Sequence, residues 1–309
     1  NLCFAFTNFK IVFPTKLLNP IFLIVGIILG GTLNVTLLYK IHLWIFSSLA
    51  MLICTIVSTI LAGYYFFKVC KFSKFISVLA ALPGAFVPIS AALLEFGKSK
   101  NDKGVLIPQA TRVIFIVSFV PIFFINNLGF SEMTGYNYEN IYNERYFLEI
   151  LFLLIICFIF ANILKNYKIP SPTLVGAMAL SGAFYTFEII NARFPDAFIN
   201  IAFIFLGTAL GTRLNGLKIK ELLFFIFHGI IVSSILVIVA MITAYLLTYI
   251  GFEFIPTFLS FAPGGIHEMV VISVAYNIDP IFVSYHHFLR IFIIVLFLPF
   301  LLSKFRKTN

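Results

Sequence analysis

Apolar residues run in blocks too long and too uniform for the alternation of a strand or the single stripe of a surface helix. Blocks at about 19–38, 42–67, 105–128, 146–164, 172–190, 198–214, 222–250 and 280–302 each predict a helix able to cross the roughly 30 Å hydrocarbon core of a bilayer. Two more blocks, about 75–94 and 256–275, are interrupted by Pro83-Gly84 and by Pro263-Gly264-Gly265. Proline removes a backbone donor and glycine loosens the chain, so each is expected to be a Pro-Gly-broken or re-entrant segment rather than a plain span. The predicted fold class is an all-α polytopic membrane protein.

The broken blocks belong to a longer correspondence. Gln109 and Arg112 follow the first, and His287 and Arg290 follow the second, each pair at i, i+3 and so on one helix face. Upstream, Phe13-Pro14, Asn19, Phe22, Gly26, Leu29-Gly30 and Leu33-Asn34 match Phe194-Pro195, Asn200, Phe203, Gly207, Leu210-Gly211 and Leu214-Asn215. The offset is 181 residues there, 180 between Pro83 and Pro263, and 178 between Arg112 and Arg290. Loop-length differences produce such a drift, and the pattern is that of a tandem duplication. Residues 1–130 form a first membrane repeat, 131–144 a polar connector and 145–309 a second repeat. Because residues 1–12 match only the tail of the second-half segment that begins at Pro172, the first repeat is expected to be N-terminally incomplete. The paired glycines Gly26/Gly30 and Gly207/Gly211 are expected to let another helix approach closely.

Charge bears on topology. Lys68, Lys71 and Lys74 precede the first broken block and Lys98, Lys100 and Lys103 follow it, whereas Glu253 and Asp279 flank the second. If both blocks re-enter, these lysines fall cytoplasmic. So do Lys165, Lys168, Arg213, Lys218, Lys220 and the tail Lys304, Arg306 and Lys307, while Glu132, Glu139 and Glu144 fall outside. The halves are then inverted relative to one another, an architecture shared by many secondary transporters. If both blocks cross, the first lysine cluster and the tail are misplaced. Two inverted-topology repeats are therefore the expectation.

Composition agrees with a bilayer as solvent. The 309 residues are 61% hydrophobic and 11% charged, against roughly 25% charged in soluble domains. The formal charge of +9 is spread in short clusters between apolar blocks, which fits the positive-inside rule and gives no nucleic-acid footprint. Cys3, Cys54, Cys70 and Cys157 are scattered and suggest neither a disulfide framework nor a CxxC metal motif. The first residues show no signal-peptide pattern. A multi-pass protein of the bacterial inner membrane follows, with lipid, and not nucleic acid, as its surroundings.

The candidate chemistry lies at the breaks. Arg112 and Arg290 are deep in their blocks, and a charge placed there normally faces a cavity or a partner. A break leaves backbone N–H groups free at the start of the next helix, and such ends favour anions. Pro83, Gly84 and Arg112, with Pro263, Gly264, Gly265 and Arg290, are accordingly candidate solute-binding residues. Glu268, His267, His286, His287 and Gln109 are candidates for proton or ion coupling. Glu268 and Arg290 either share one solute site or neutralise each other. His267-Glu268 lacks the second histidine of H-E-x-x-H because position 271 is Val271, so no metal is expected. His42 and His228, alone near block ends, are expected to be structural.

The duplicated Pro-Gly segment, the run Pro263-Gly264-Gly265-x-x-Glu268-Met269 and the following Tyr285-His286-His287-Phe288-Leu289-Arg290 resemble the bacterial AbrB-type membrane protein family. That family is built on a duplication, also carries the label ammonia monooxygenase, and is tied by name to gene regulation. It is distinct from the small DNA-binding regulator that shares the name. In the first copy Gly84-Ala85 replaces Gly-Gly, Val87-Pro88 stands at His267-Glu268 and Gln109 replaces a histidine, so any chemistry belongs to the second copy. Three functions follow from block, charge and resemblance. The leading one is a secondary transporter-like protein that binds or moves a small, anionic solute at the repeat interface, with no cofactor and with homo-oligomerisation as a further expectation. A membrane protein affecting gene expression is the second, although the chain shows no output domain. An ammonia-oxidising enzyme is the third, although no flavin, haem or iron-sulfur motif is present.

Overall fold

The computed structural model describes residues 14–33, 35–95, 102–128, 144–166, 172–212 and 217–306, and every regular element among them is helical. In order they are α1 (Leu18–Gly30), α2 (Thr36–Lys40), α3 (Ile45–Lys68), α4 (Lys74–Ala81), α5 (Phe86–Glu95), α6 (Asp102–Leu128) and α7 (Glu144–Lys165). Then come α8 (Pro172–Thr186), α9 (Asp196–Gly211), α10 (Ile219–Thr248), α11 (Phe254–Phe261), α12 (Ile266–Ala275) and α13 (Pro280–Arg306). The connector 131–144 lies almost wholly outside the described residues.

Among the described residues five helices are long and apolar enough to cross a membrane: Ile41–Lys68, Asp102–Phe124, Tyr146–Lys165, Ile219–Thr248 and Pro280–Leu298. Their outer faces are apolar too. Along α3, Phe46, Leu49, Ile53, Ile56 and Ile60 are exposed while Met51, Cys54, Ser58 and Ala62 are buried. That distribution suits lipid, where small and polar residues rather than leucine mediate helix association.

Three of the predicted spans are shorter than their apolar blocks. The block 19–38 yields the 13 residues of α1, roughly 20 Å at 1.5 Å per residue. It ends because the chain turns at Gly31, where Thr32 Oγ1 donates to the Leu29 carbonyl at 2.8 Å. The blocks 172–190 and 198–214 likewise yield α8 with 15 residues and α9 with 16.

The paired glycines behave differently in the two halves. A β carbon on Gly26 would lie 2.6 Å from the Leu174 carbonyl oxygen, and one on Gly30 would collide with Ser181 Oγ, so α1 and α8 touch backbone to backbone as expected. Gly207 on α9 has no atom within 4 Å of where its β carbon would be. The packing expected of it is absent, and it faces a cavity instead.

Each Pro-Gly block is a pair of short helices, α4–α5 and α11–α12, joined by four residues. The residue before each proline has left the helical region, Leu82 at φ −54°, ψ 115° and Ala262 at φ −51°, ψ 138°. The proline ring clashes with a helical predecessor, so the break is dictated locally. Gly84 then turns the chain at φ +69°, a conformation that costs other residues a steric penalty.

Candidate functional site

Terminating α4 and α11 inside a bundle creates a problem, because the last carbonyls of a helix have no partner within it. Water solves this at a surface. Here the side chains of the following long helix do so. Arg112 of α6 donates from Nη1 to Ala81 O (3.3 Å) and from Nη2 to Leu82 O (2.8 Å), and Gln109 Nε2 donates to Leu79 O. Arg290 of α13 donates from Nη1 to Phe261 O (3.3 Å) and Ala262 O (3.1 Å), and from Nη2 to Gly264 O (3.3 Å). His287 stands where Gln109 does, with Nε2 at 3.0 Å from Leu259 O.

The i, i+3 spacing read from the sequence thus has a concrete use. The arginine reaches the terminal carbonyls, and the residue one turn earlier reaches the carbonyl one turn further back. His287 Nδ1 is 2.6 Å from Arg290 Nη2. Arginine can only donate, so Nδ1 accepts, and Nε2 carries the proton given to Leu259 O. Both arginines are 2% exposed. Neither forms an ion pair among the described residues, where the pairs are Lys40–Asp279 and Lys103–Glu221.

The two breaks meet. A β carbon on Gly84 would lie 2.5 Å from Arg290 Nη2 and 2.8 Å from its Cζ, so the first break is pressed against the arginine that holds the second. Beside them is a cavity of about 400 Å³. The first break contributes Gly84, Phe86, Val87 and Pro88, and the second contributes Gly265, Ile266 and Glu268. Thr111 and Arg112 come from α6, Phe203, Leu206, Gly207, Leu210 and Gly211 from α9, and Leu222 and Ile226 from α10. The N-terminal ends of α5 and α12 both border it. Glu268 lies in the first turn of α12, and its carboxylate folds back so far that a β carbon on Gly265 would collide with Oε2. It makes no hydrogen bond or ion pair among the described residues.

The structure therefore separates the candidates. Gly84, Arg112, Gly265 and Glu268 line the cavity. Arg290, His287 and Gln109 stand behind it as caps, and Pro83, Pro263 and Gly264 are buried in the breaks themselves. Three buried atoms of this group have no partner: Arg112 Nε, Arg290 Nε and Gln109 Oε1. His286 is elsewhere, bonded through Nδ1 to Phe282 O (2.8 Å) and through Nε2 to Ser47 Oγ (2.9 Å). The side chain of His267 lies outside what is described. His228 is structural as expected, with Nδ1 at 2.8 Å from Tyr65 OH, whereas His42 is exposed. No group of His, Cys, Asp or Glu placed to hold a metal occurs among the described residues. Sequence reasoning missed the apolar walls from α9 and α10, for which Gly207 was the available sign.

Comparison with known proteins follows the same outline. An uncharacterized protein, YhjN of Bacillus subtilis (strain 168), is 25% identical over 291 residues, covering 90% of this chain and 75% of its own. A family model described as the transition state regulatory protein AbrB matches residues 1–306, nearly the full length of this helical membrane protein, and the chain belongs to that family.

Proposed function

We propose that this protein is a secondary transporter-like carrier of the bacterial inner membrane that binds and moves a small anionic solute in the cavity between its two Pro-Gly breaks. The observation that carries this is Arg112. It is buried, it lines the cavity, and its Nε has no partner while its two Nη groups are occupied by Ala81 and Leu82 carbonyls. A desolvated cationic donor beside two helix N-termini favours a negative ligand. Two inverted repeats meeting at such a site are the transporter arrangement. The duplication draws support from the hydrogen bonds, since Gln109→Leu79 and His287→Leu259 are the same contact at the sequence offsets of the two halves. Helical spans flanked by basic clusters suit the inner membrane rather than a barrel.

The test is thermal stabilisation of the purified protein across small anions, small cations, ammonium and neutral solutes, because a ligand of the native state raises its stability. An anion is expected to raise the melting temperature, and Arg112→Gln to abolish that shift. Stabilisation by ammonium or a metal cation but by no anion would end this proposal.

A further inference from the structure

We infer that the solute is a monocarboxylate with an apolar body, its carboxylate at Arg112 and its body against α9 and α10; this rests on the anion-binding proposal above. Among the described residues the lining contains one cation, Arg112, one carboxylate, Glu268, and one hydroxyl, Thr111. Every other lining side chain is apolar or is the bare backbone of a glycine. Such a surface takes up a hydrocarbon body and fixes it with few polar groups, and the volume of about 400 Å³ is that of a small-molecule site.

Charge sets the number of carboxylates. One negative group of the solute meets Arg112. A second would face Glu268 or hydrocarbon, and an uncompensated charge in either place is costly. Donor geometry sets the kind of anion. Phosphate is best gripped by a free guanidinium fork, but both Nη groups of Arg112 are already bonded to the carbonyls of Ala81 and Leu82. What is left is the unpartnered Nε–H and one further N–H on each Nη, an incomplete fork that suits the two oxygens of one carboxylate, with backbone N–H groups at the helix ends beside it. Small inorganic anions would satisfy the donor and leave the walls of Phe203, Leu206, Leu222 and Ile226 empty.

Gly207 offers an independent handle, since a side chain there enters open space rather than a neighbour. The experiment measures equilibrium binding of phenylacetate, hexanoate and 4-methylpentanoate to the detergent-purified full chain, with succinate, inorganic phosphate and phenylacetamide alongside. At least one of the three monocarboxylates is expected to bind. Phenylacetamide is expected to bind at least about tenfold more weakly than phenylacetate, and Arg112→Gln to cost a similar factor, the usual consequence of losing a charge-assisted hydrogen bond. Gly207→Leu is expected to remove monocarboxylate binding while the protein stays folded. If Arg112→Gln does not fold, Gly207→Leu decides, and monocarboxylate binding unchanged by it overturns the inference. Arg112-dependent binding of succinate or phosphate without the monocarboxylates overturns the inference but leaves the anion site. Equal binding of the amide and the acid overturns both, and no binding by any monocarboxylate overturns the inference.

Discussion

Gly84 and the guanidinium of Arg290 are in contact across the two breaks, so close that a β carbon on Gly84 would come within 2.5 Å of Nη2. Gly84 is also at φ +69°, where a side chain costs roughly 1–2 kcal/mol before any clash. The arginine cannot swing away freely, because its Nη groups hold Phe261, Ala262 and Gly264 carbonyls and His287. Gly84→Ala is therefore expected to destabilise by about 2 kcal/mol or more. Gly264→Ala meets the flexible end of Met269 instead and should cost distinctly less. Melting temperatures of the two variants in one detergent decide, and a Gly264→Ala as damaging as Gly84→Ala would contradict the contact.

Arg290 satisfies helix-end carbonyls and is not bonded to Glu268, which itself has no partner among the described residues. Arg290→Gln orphans several buried carbonyls and is expected to cost on the order of 3 kcal/mol. Glu268→Gln should change stability by less than about 1 kcal/mol. The double variant is then as unstable as Arg290→Gln alone, since the two effects add when residues do not interact. Recovery of the melting temperature in the double variant would mean that the two are an ion pair after all.

His287 and Gln109 do the same work with different chemistry, each giving a proton to a leucine carbonyl one turn above a break. His287→Gln is accordingly expected to keep the bond to Leu259 and to fold within about 1 kcal/mol of the parent. His287→Leu leaves that carbonyl unpaired in an apolar core and should cost about 1–3 kcal/mol. Thermal unfolding of both settles the matter; equal damage from glutamine and leucine would show that the imidazole is needed for something other than this cap.

The long helices and the two breaks were legible because their causes are local: apolar length, a proline that forbids a helical predecessor, and a glycine at positive φ. The spacing of Arg112 to Gln109 and of Arg290 to His287 was legible for the same reason. What each arginine holds was not, because a helix-end carbonyl leaves no trace in the side-chain sequence, and charge pairing suggested Glu268 as the partner of Arg290. The ends of α1, α8 and α9 were misjudged since apolar residues continue in the sequence past Gly30, Thr186 and Gly211, beyond the last helical turn. Gly207 repeats the spacing of Gly26, yet what fills the space beside a glycine depends on a neighbour that its own sequence does not specify.

Among the described residues two partly exposed ion pairs connect the halves, Lys40 Nζ to Asp279 Oδ2 at 3.3 Å and Lys103 Nζ to Glu221 Oε2 at 3.8 Å. Lys40 and Glu221 are 181 residues apart, the offset that relates the upstream parts of the two halves. Asp279 and Lys103 in turn stand at the starts of α13 and α6, the two arginine-bearing helices. Lys103 and Asp279 are 176 residues apart, so the pairs stand at similar rather than equivalent places with the charges exchanged, and inverted halves would put them on opposite faces of the membrane. Partly exposed pairs near the surface contribute on the order of 1 kcal/mol, so cysteine at position 40 or 221 is expected to leave the protein folded. In a background whose native cysteines are replaced, Lys40→Cys is expected to react with an impermeant thiol reagent added to intact cells. Glu221→Cys is expected to react only after the membrane is opened, because the basic residues Lys218 and Lys220 beside it favour the cytoplasm. Reaction of both from the outside, or of neither, would place the two pairs on one face and remove the inverted arrangement that supports the proposed carrier function.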